Sequence, residues 1–297
     1  MKILITGNKG QLGNDCTQVF SAFHEIMPTD LEELDITHLP DVEGTIEAFR
    51  PDWIVNCAAY THVDACETQR NLAWQVNVEG PRNLALCVEK YGGKLIHIST
   101  DYVFGGKKPI PEPYVEDDEP DPSSYYGKTK LEGERSVRQT TDRYIIIRTA
   151  WLYGIKGHNF LKTMLGLALK NPHKEIKVVN DQFGSPTWSY QLALQIAKVI
   201  DVKGKGTYHA TAEGYCSWYQ LASDFLAKME IPHVVVPCTT KEYPTQAVRP
   251  VNSILENERL KVAGINLMID WRNNLDQFVS RFREHLLVES TEESLTP

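Results

Sequence analysis

An α/β fold with a doubly wound parallel sheet of the Rossmann type, followed by a smaller C-terminal substrate-binding lobe, is the architecture this sequence predicts. Three observations point to it. Short β-branched apolar runs alternate with amphipathic stretches through the first half, a glycine-rich turn follows the first of those runs, and the rhythm loosens after Tyr153.

In chain order, the strand candidates are residues 2–6, 25–28, 53–56, 94–99 and 144–149. Between them, residues 11–23, 42–49 and 81–90 space their apolar side chains three and four apart, as helices packed on a sheet face do, and the connections must be right-handed crossovers. Residues 104–124 are rich in proline, glycine and acidic side chains and read as a long functional loop, with a helix predicted over 124–139. Further helices are predicted over 160–169, 189–200, 217–229 and 274–286. The expected division is a dinucleotide-binding core at 1–152, to which later elements may return, a mainly substrate-binding lobe at 153–288, and a polar, acidic, disordered tail at 289–297.

Composition narrows the function. A chain of 297 residues with 42% hydrophobic content can bury a sizeable core. A net charge of -8 argues against gripping nucleic acid or an anionic membrane. The six cysteines, at 16, 57, 66, 87, 216 and 238, form no CxxC pair, which suits reduced thiols in a reducing compartment and no metal cluster. The N-terminus runs straight into a β-like segment and no apolar stretch reaches membrane-spanning length, so a soluble cytoplasmic protein is expected.

The turn Gly7-Asn8-Lys9-Gly10-Gln11-Leu12-Gly13 is a G-x-x-G-x-x-G run between a strand and a helix. Glycines there permit a tight turn, close approach of the backbone to a pyrophosphate and close helix-to-strand packing, while the helix start supplies N–H donors. An ordinary βα turn is the competing reading of the motif alone. Asp30 falls at the end of the second strand, where a carboxylate accepts from an adenosine ribose; a solvated turn residue is its alternative. It is followed by Leu31-Glu32-Glu33, with no Arg or Lys in that turn to receive a 2′-phosphate, so NADH is expected in preference to NADPH, with NADPH still possible.

Tyr126 and Lys130 are four apart within the helix predicted over 124–139 and share a face. An ammonium near a phenol lowers its pKa by about 1 to 3 units towards the range of a useful acid–base catalyst. The same spacing also arises by chance on a surface helix. Thr100, just past the fourth strand at the carboxyl end of the sheet, adds a hydroxyl where α/β sites gather.

Gly7 to Gly13, Asn56-Cys57-Ala58-Ala59-Tyr60-Thr61, Ser99-Thr100-Asp101-Tyr102-Val103-Phe104 and Tyr126-Gly127-Lys128-Thr129-Lys130 together resemble the dTDP-4-dehydrorhamnose reductase family of extended short-chain dehydrogenases/reductases. The similarity continues through Arg148-Thr149-Ala150-Trp151, Asp181 to Thr187 and Arg249 to Ser253, up to about residue 286. The resemblance implies an NAD(P)H-dependent reduction at C4 of dTDP-4-dehydro-β-L-rhamnose. It makes Thr100, Tyr126 and Lys130 the catalytic group, with Tyr126 giving the proton, Lys130 holding the nicotinamide ribose and Thr100 orienting the carbonyl. It also implies cofactor contacts at Gly10, Gln11, Leu12, Asp30, Asp35, Ile36, Ala58, Ala59 and Tyr60, with Gly7 and Gly13 shaping the turn. Thr100, Asp101 and Trp151 become sugar contacts, with a core role the alternative for Trp151. Arg249 becomes a diphosphate partner, with surface ion pairing as its alternative.

Some relatives join two subunits through a metal held by acidic residues. Here Asp15 is present but Tyr190 lies where its acidic partner is sought, so no structural metal is expected, and a monomer and a homodimer both stay open. The partner implied is a small nucleotide sugar. Rival activities are an epimerase or dehydratase on the same fold and a cofactor-binding subunit without turnover.

Overall fold

The computed structural model describes the backbone of residues 1–295 and the side chains of residues 1–290. The first half contains β1 (Lys2–Thr6), α1 (Gln11–Ser21), β2 (Glu25–Thr29), α2 (Leu39–Phe49), β3 (Trp53–Asn56), α3 (Val63–Cys66), α4 (Arg70–Trp74), α5 (Gly80–Tyr91), β4 (Lys94–Thr100), α6 (Tyr125–Thr140) and β5 (Tyr144–Thr149). Then come β6 (Leu152–Tyr153), α7 (Phe160–Lys170), β7 (Glu175–Val179), β8 (Phe183–Gly184), β9 (Thr187–Trp188), α8 (Ser189–Asp201), β10 (Gly206–His209), β11 (Cys216–Ser217), α9 (Trp218–Lys228), β12 (Val234–Cys238), α10 (Glu258–Val262) and α11 (Trp271–Leu295).

Six parallel strands form the central sheet in the order β10-β5-β4-β3-β1-β2. From β1 the chain steps outward to β2 and then crosses to β3 on the opposite side. Strand order therefore reverses at β1, and a crevice opens where the carboxyl ends of β1 and β3 diverge. The alternating runs of the sequence form this sheet because both faces are covered. Leu12, Cys16 and Phe20 of α1 pack with Leu192, Ile196 and Val199 of α8 over Ile3, Ile5 and Val55. Val42 and Ile46 of α2 and Leu84 and Val88 of α5 cover Leu4, Ile54 and Leu95 on the other face. The sixth strand, β10, comes from the second half, as does α8.

A second apolar core gathers Leu161 and Leu165 of α7, Leu221 and Phe225 of α9, and Trp271, Leu275 and Phe278 of α11. The last helix runs on to Leu295, so residues 289–295 are helical where a disordered tail is expected. Leu286 still reaches the core, and Glu289 accepts from Lys162 Nζ at 2.7 Å, which holds the helix beyond its last apolar turn. Residues 296–297 lie outside the described residues. Among the described residues, no helix is long and apolar enough to cross a membrane.

Candidate active site

The glycine turn sits at the mouth of the crevice. Gly7 has φ +70°, and a Cβ there would lie 2.7 Å from the Ala58 amide nitrogen, so only glycine lets β1 and β3 end side by side. A Cβ on Gly13 would overlap the Gly7 carbonyl oxygen. Gly10 donates its N–H to that oxygen at 3.1 Å and precedes α1 with no side chain over the first-turn N–H groups. Leu12 is buried, and Gln11 Oε1 accepts from Asn159 Nδ2 at 3.2 Å, tying the turn to the second core.

Asp30 follows β2 directly. Its carboxylate accepts the N–H of Lys9 at 2.7 Å and that of Leu31 at 2.8 Å. The turn after Asp30, Leu31-Glu32-Glu33, carries no Arg or Lys, but the glycine turn folds Lys9 against Asp30 from the other side. The Lys9 ammonium is paired with Glu32, which raises its pKa. Asp35 Oδ1 accepts from the Thr37 amide at 2.9 Å and hydroxyl at 2.7 Å, Ile36 is buried against Gly80, and Ala58, Ala59 and Tyr60 line the exit of β3.

Thr100, Tyr126 and Lys130 meet at the carboxyl edge of the sheet. Thr100 is the last residue of β4, paired with Thr149 of β5; its hydroxyl donates to Asp101 Oδ1 at 2.9 Å and accepts the Tyr102 N–H at 3.2 Å. Ser124 caps α6 by accepting the Gly127 N–H at 3.1 Å. Lys130, one turn after Tyr126, donates to the Ile98 carbonyl at 2.6 Å. A further turn along, Glu134 accepts from Arg148 Nε at 2.9 Å and Nη2 at 2.8 Å. These two anchors fix the helix over β4 and β5 and hence where the Tyr126 phenol lies. From behind, Asn77 donates to Thr129 Oγ1 at 3.0 Å and to the Tyr60 carbonyl at 3.1 Å, and accepts the Tyr60 N–H at 2.8 Å.

Burial governs the charges of this cluster. It pushes the Tyr126 phenol well above its usual value, opposed by the Thr100 hydroxyl beside it. It pushes the Lys130 ammonium down to about 8, against the pull of Glu134. This differs from the expectation that Lys130 lowers the Tyr126 pKa: desolvation sets the direction of the shift, and the Lys130 ammonium is turned to the Ile98 carbonyl. Tyr126 holds its proton firmly in this state. Asp101 is likewise raised by burial, to about 6, with the Ser253 and Thr100 hydroxyls pulling the other way. Its Oδ2 is buried with no hydrogen-bond partner among the described residues.

Trp151 follows β5 with φ +46°, a conformation costing a bulky residue about 1–3 kcal/mol. Its indole stacks on Trp218, ring centroids 3.5 Å apart. Arg249 is not free for a ligand: Nη2 donates to Asp64 Oδ2 at 2.7 Å and Nη1 to Oδ1 at 3.2 Å, holding the Asp64 carboxyl below its ordinary range. Asp15 is buried against the Ser189 hydroxyl, and among the described residues no group of three acidic, His or Cys side chains is arranged to hold a metal.

Residues 1–284 match the model of the RmlD substrate binding domain. The chain belongs to that family. A relative in the RmlD family, the dTDP-4-dehydrorhamnose reductase of Aggregatibacter actinomycetemcomitans, is 40% identical over 92% of this chain and 97% of its own. The crystal structure of a dTDP-4-dehydrorhamnose reductase from Clostridium acetobutylicum matches with TM-score 0.92 at 44% identity, covering 95% of this chain and 100% of that one. That of the Bacillus anthracis dTDP-4-dehydrorhamnose reductase, in complex with NADP, has TM-score 0.91 at 39% identity over 94% of this chain and 99% of its own.

Sequence reasoning missed Lys9, Asp64, Asn77 and Trp218. Lys9 stands inside the glycine motif and was readable from it. Nothing local marks Trp218, which is brought to Trp151 by tertiary pairing alone.

Proposed function

We propose that this RmlD-family protein reduces the C4 keto group of dTDP-4-dehydro-β-L-rhamnose to dTDP-β-L-rhamnose with a nicotinamide cofactor. The observation that carries the reading is the meeting of Thr100, Tyr126 and Lys130 beside a glycine turn whose Cβ positions are filled by neighbouring backbone. That turn fits a dinucleotide: Gly10 closes it by donating its N–H to the Gly7 carbonyl and brings its backbone close to a pyrophosphate, the first-turn N–H groups of Gln11, Leu12 and Gly13 are open to that pyrophosphate, and Asp30 offers a carboxylate to the adenosine ribose. Asp35, Ile36, Ala58, Ala59 and Tyr60 wall the remainder.

When bound, the cofactor supplies the hydride. Tyr126, kept protonated by burial, gives its proton to the C4 oxygen as negative charge develops there. Thr100, its hydroxyl turned away from Asp101, donates a hydrogen bond to the same oxygen and orients the carbonyl, and Lys130 would hold the nicotinamide ribose. Asp101 Oδ2, which has no hydrogen-bond partner among the described residues, accepts from a sugar hydroxyl, and Trp151, its face covered by Trp218, meets the sugar edge-on. Arg249 reaches the diphosphate by leaving Asp64. NADH is favoured over NADPH because Asp30, Glu32 and Glu33 outnumber Lys9, which is already paired. The unpaired state of all six cysteines is in keeping with action in the cytoplasm.

Dehydration is disfavoured. Removing water across C5 and C6 needs an additional acid–base group beside the carbonyl, and Tyr102 follows Asp101 where a second carboxylate would serve. The test is an assay of purified protein with NADH and dTDP-4-dehydrorhamnose, product stereochemistry read by NMR. Formation of dTDP-β-L-rhamnose is expected; absence of cofactor oxidation, or a 4-keto-6-deoxy product from dTDP-glucose and NAD, overturns the reading.

A further inference from the structure

Trp151 keeps a left-handed backbone that a bulky side chain rarely adopts. Such strain persists only where the surroundings over-determine it. Three features do so here. Its carbonyl accepts the Thr187 N–H at 3.2 Å, so the chain turns directly into the pairing of β6 with β9. The indole lies flat on Trp218, planes 5° apart, and Phe160 closes on the Trp218 ring with centroids 4.6 Å apart. A Cβ on Gly184 would overlap Trp151 Cε2 and Nε1, so Gly184 leaves just the thickness of the ring.

The two walls of this slot come from one small sheet. Gly184 of β8 pairs with Cys216 of β11, and Trp218 follows β11 by one residue. Ser217 caps α9, its hydroxyl accepting the Gln220 N–H at 3.1 Å and donating to Asn180 Oδ1 at 2.6 Å, while Gln220 Oε1 accepts the Ser217 N–H at 3.0 Å. Trp218 thus has a fixed origin. The same β8 reaches the reacting end: the Phe183 carbonyl accepts the Ser253 N–H at 2.8 Å, and the Ser253 hydroxyl stands beside Asp101.

We infer that Trp218 and Gly184 are positioning residues that clamp Trp151 in its strained turn and thereby set the sugar-facing edge of the site. The inference rests on the reading of Trp151 as a sugar contact. A ring held at one angle discriminates between sugar shapes at no cost in ordering when substrate arrives. A loose one does not.

The test compares Trp218→Ala, Trp218→Phe, Gly184→Ala and Trp151→Ala for KM and kcat with dTDP-4-dehydrorhamnose, alongside binding of NADH and of bare dTDP. Trp218→Ala should raise KM about tenfold, with kcat falling less and both binding constants within twofold of wild type; Trp218→Phe should recover most of the loss. Gly184→Ala should act in the same direction. In circular dichroism, the coupled bands of two stacked indoles should vanish in Trp218→Phe and in Trp151→Ala. If Trp151→Ala raises KM while Trp218→Ala leaves it unchanged, the clamp is wrong and the sugar contact stands. If Trp151→Ala itself leaves KM unchanged, the sugar reading of Trp151 fails and the clamp with it. Equal loss of NADH, dTDP and sugar-nucleotide binding in Trp218→Ala marks a purely structural residue and also overturns the inference.

Discussion

Lys130 and Lys9 stand at opposite ends of one crevice and are held in opposite ways. Lys130 is 2% exposed, its ammonium is directed to a carbonyl oxygen, and burial drives its pKa down to about 8. Lys9 has a side chain 55% exposed, pairs with the carboxylate of Glu32, and has its pKa raised. At the buried end desolvation decides which proton is present, and one hydroxyl or one ammonium changes the chemistry outright. At the exposed end water and salt weaken each charge, and selectivity comes from several groups of modest effect. Substitutions at the two ends should therefore differ in size and in salt dependence.

The largest effect is expected at the buried end. Tyr126→Phe removes one hydroxyl and should lower turnover about a hundredfold or more while leaving NADH binding near wild type, measured by steady-state kinetics and cofactor fluorescence. Turnover close to wild type would transfer the proton-donor role to another group.

Lys130 supplies a thermodynamic counterpart. Its folded pKa lies near 8 against 10.5 for the free side chain, so between these values the unfolded chain holds a proton that the folded chain lacks. Stability from this group therefore rises as pH climbs from about 8 to 10.5, by roughly 3 kcal/mol, and is constant below that window. In denaturant unfolding, the wild-type advantage over Lys130→Met should grow by that order across the window. A difference that stays flat would show that water reaches the ammonium and that burial does not set its charge. Gly13→Ala tests the joint between the two ends: its Cβ meets backbone, and NADH binding should weaken about tenfold or more. Unchanged affinity would mean that the turn relaxes freely.

The sequence was most readable where chemistry is local. The glycine turn, the strand ends and the four-residue spacing of Tyr126 and Lys130 are short-range patterns, and the structure places them at one edge of the sheet. Strand β10 was harder, since Gly206–His209 is short and its place beside β5 depends on a pairing some 60 residues away in sequence. Trp218 and Asp64 were illegible for the same reason, each defined by a distant partner. The sign of the Tyr126 shift was misjudged because helical spacing reports proximity but not burial. A sequence shows that an ammonium can stand near a phenol; it does not show how much water stands between them. Lys9 precedes Asp30 by 21 residues and reaches it from the glycine turn packed against it, so the residues that follow Asp30 give no sign of this cation.

The smallest effect, and the one that separates the two ends most sharply, concerns the choice of cofactor. Asp30 accepts the Lys9 and Leu31 N–H groups and retains lone pairs for ribose hydroxyls, whereas a 2′-phosphate placed there would face Asp30, Glu32 and Glu33 with Lys9 as its one neighbouring cation in the turn. In water a pair of unit charges 4 Å apart interacts by about 1 kcal/mol, roughly a fivefold effect on an equilibrium. Wild type should accordingly show higher kcat/KM with NADH than with NADPH. Asp30→Ala should move that ratio about fivefold towards NADPH, and Lys9→Ala should move it by a similar or smaller factor the other way. Both shifts should shrink when the salt concentration is raised to 0.5 M or so, as screened surface charges require, while the loss in Tyr126→Phe should not. If wild type prefers NADPH, or Asp30→Ala leaves the ratio in place, Asp30 is a turn residue and not the selector. If the ratio responds to Lys9→Ala alone, selection at this end is made by the one cation, released from Glu32 to meet the phosphate.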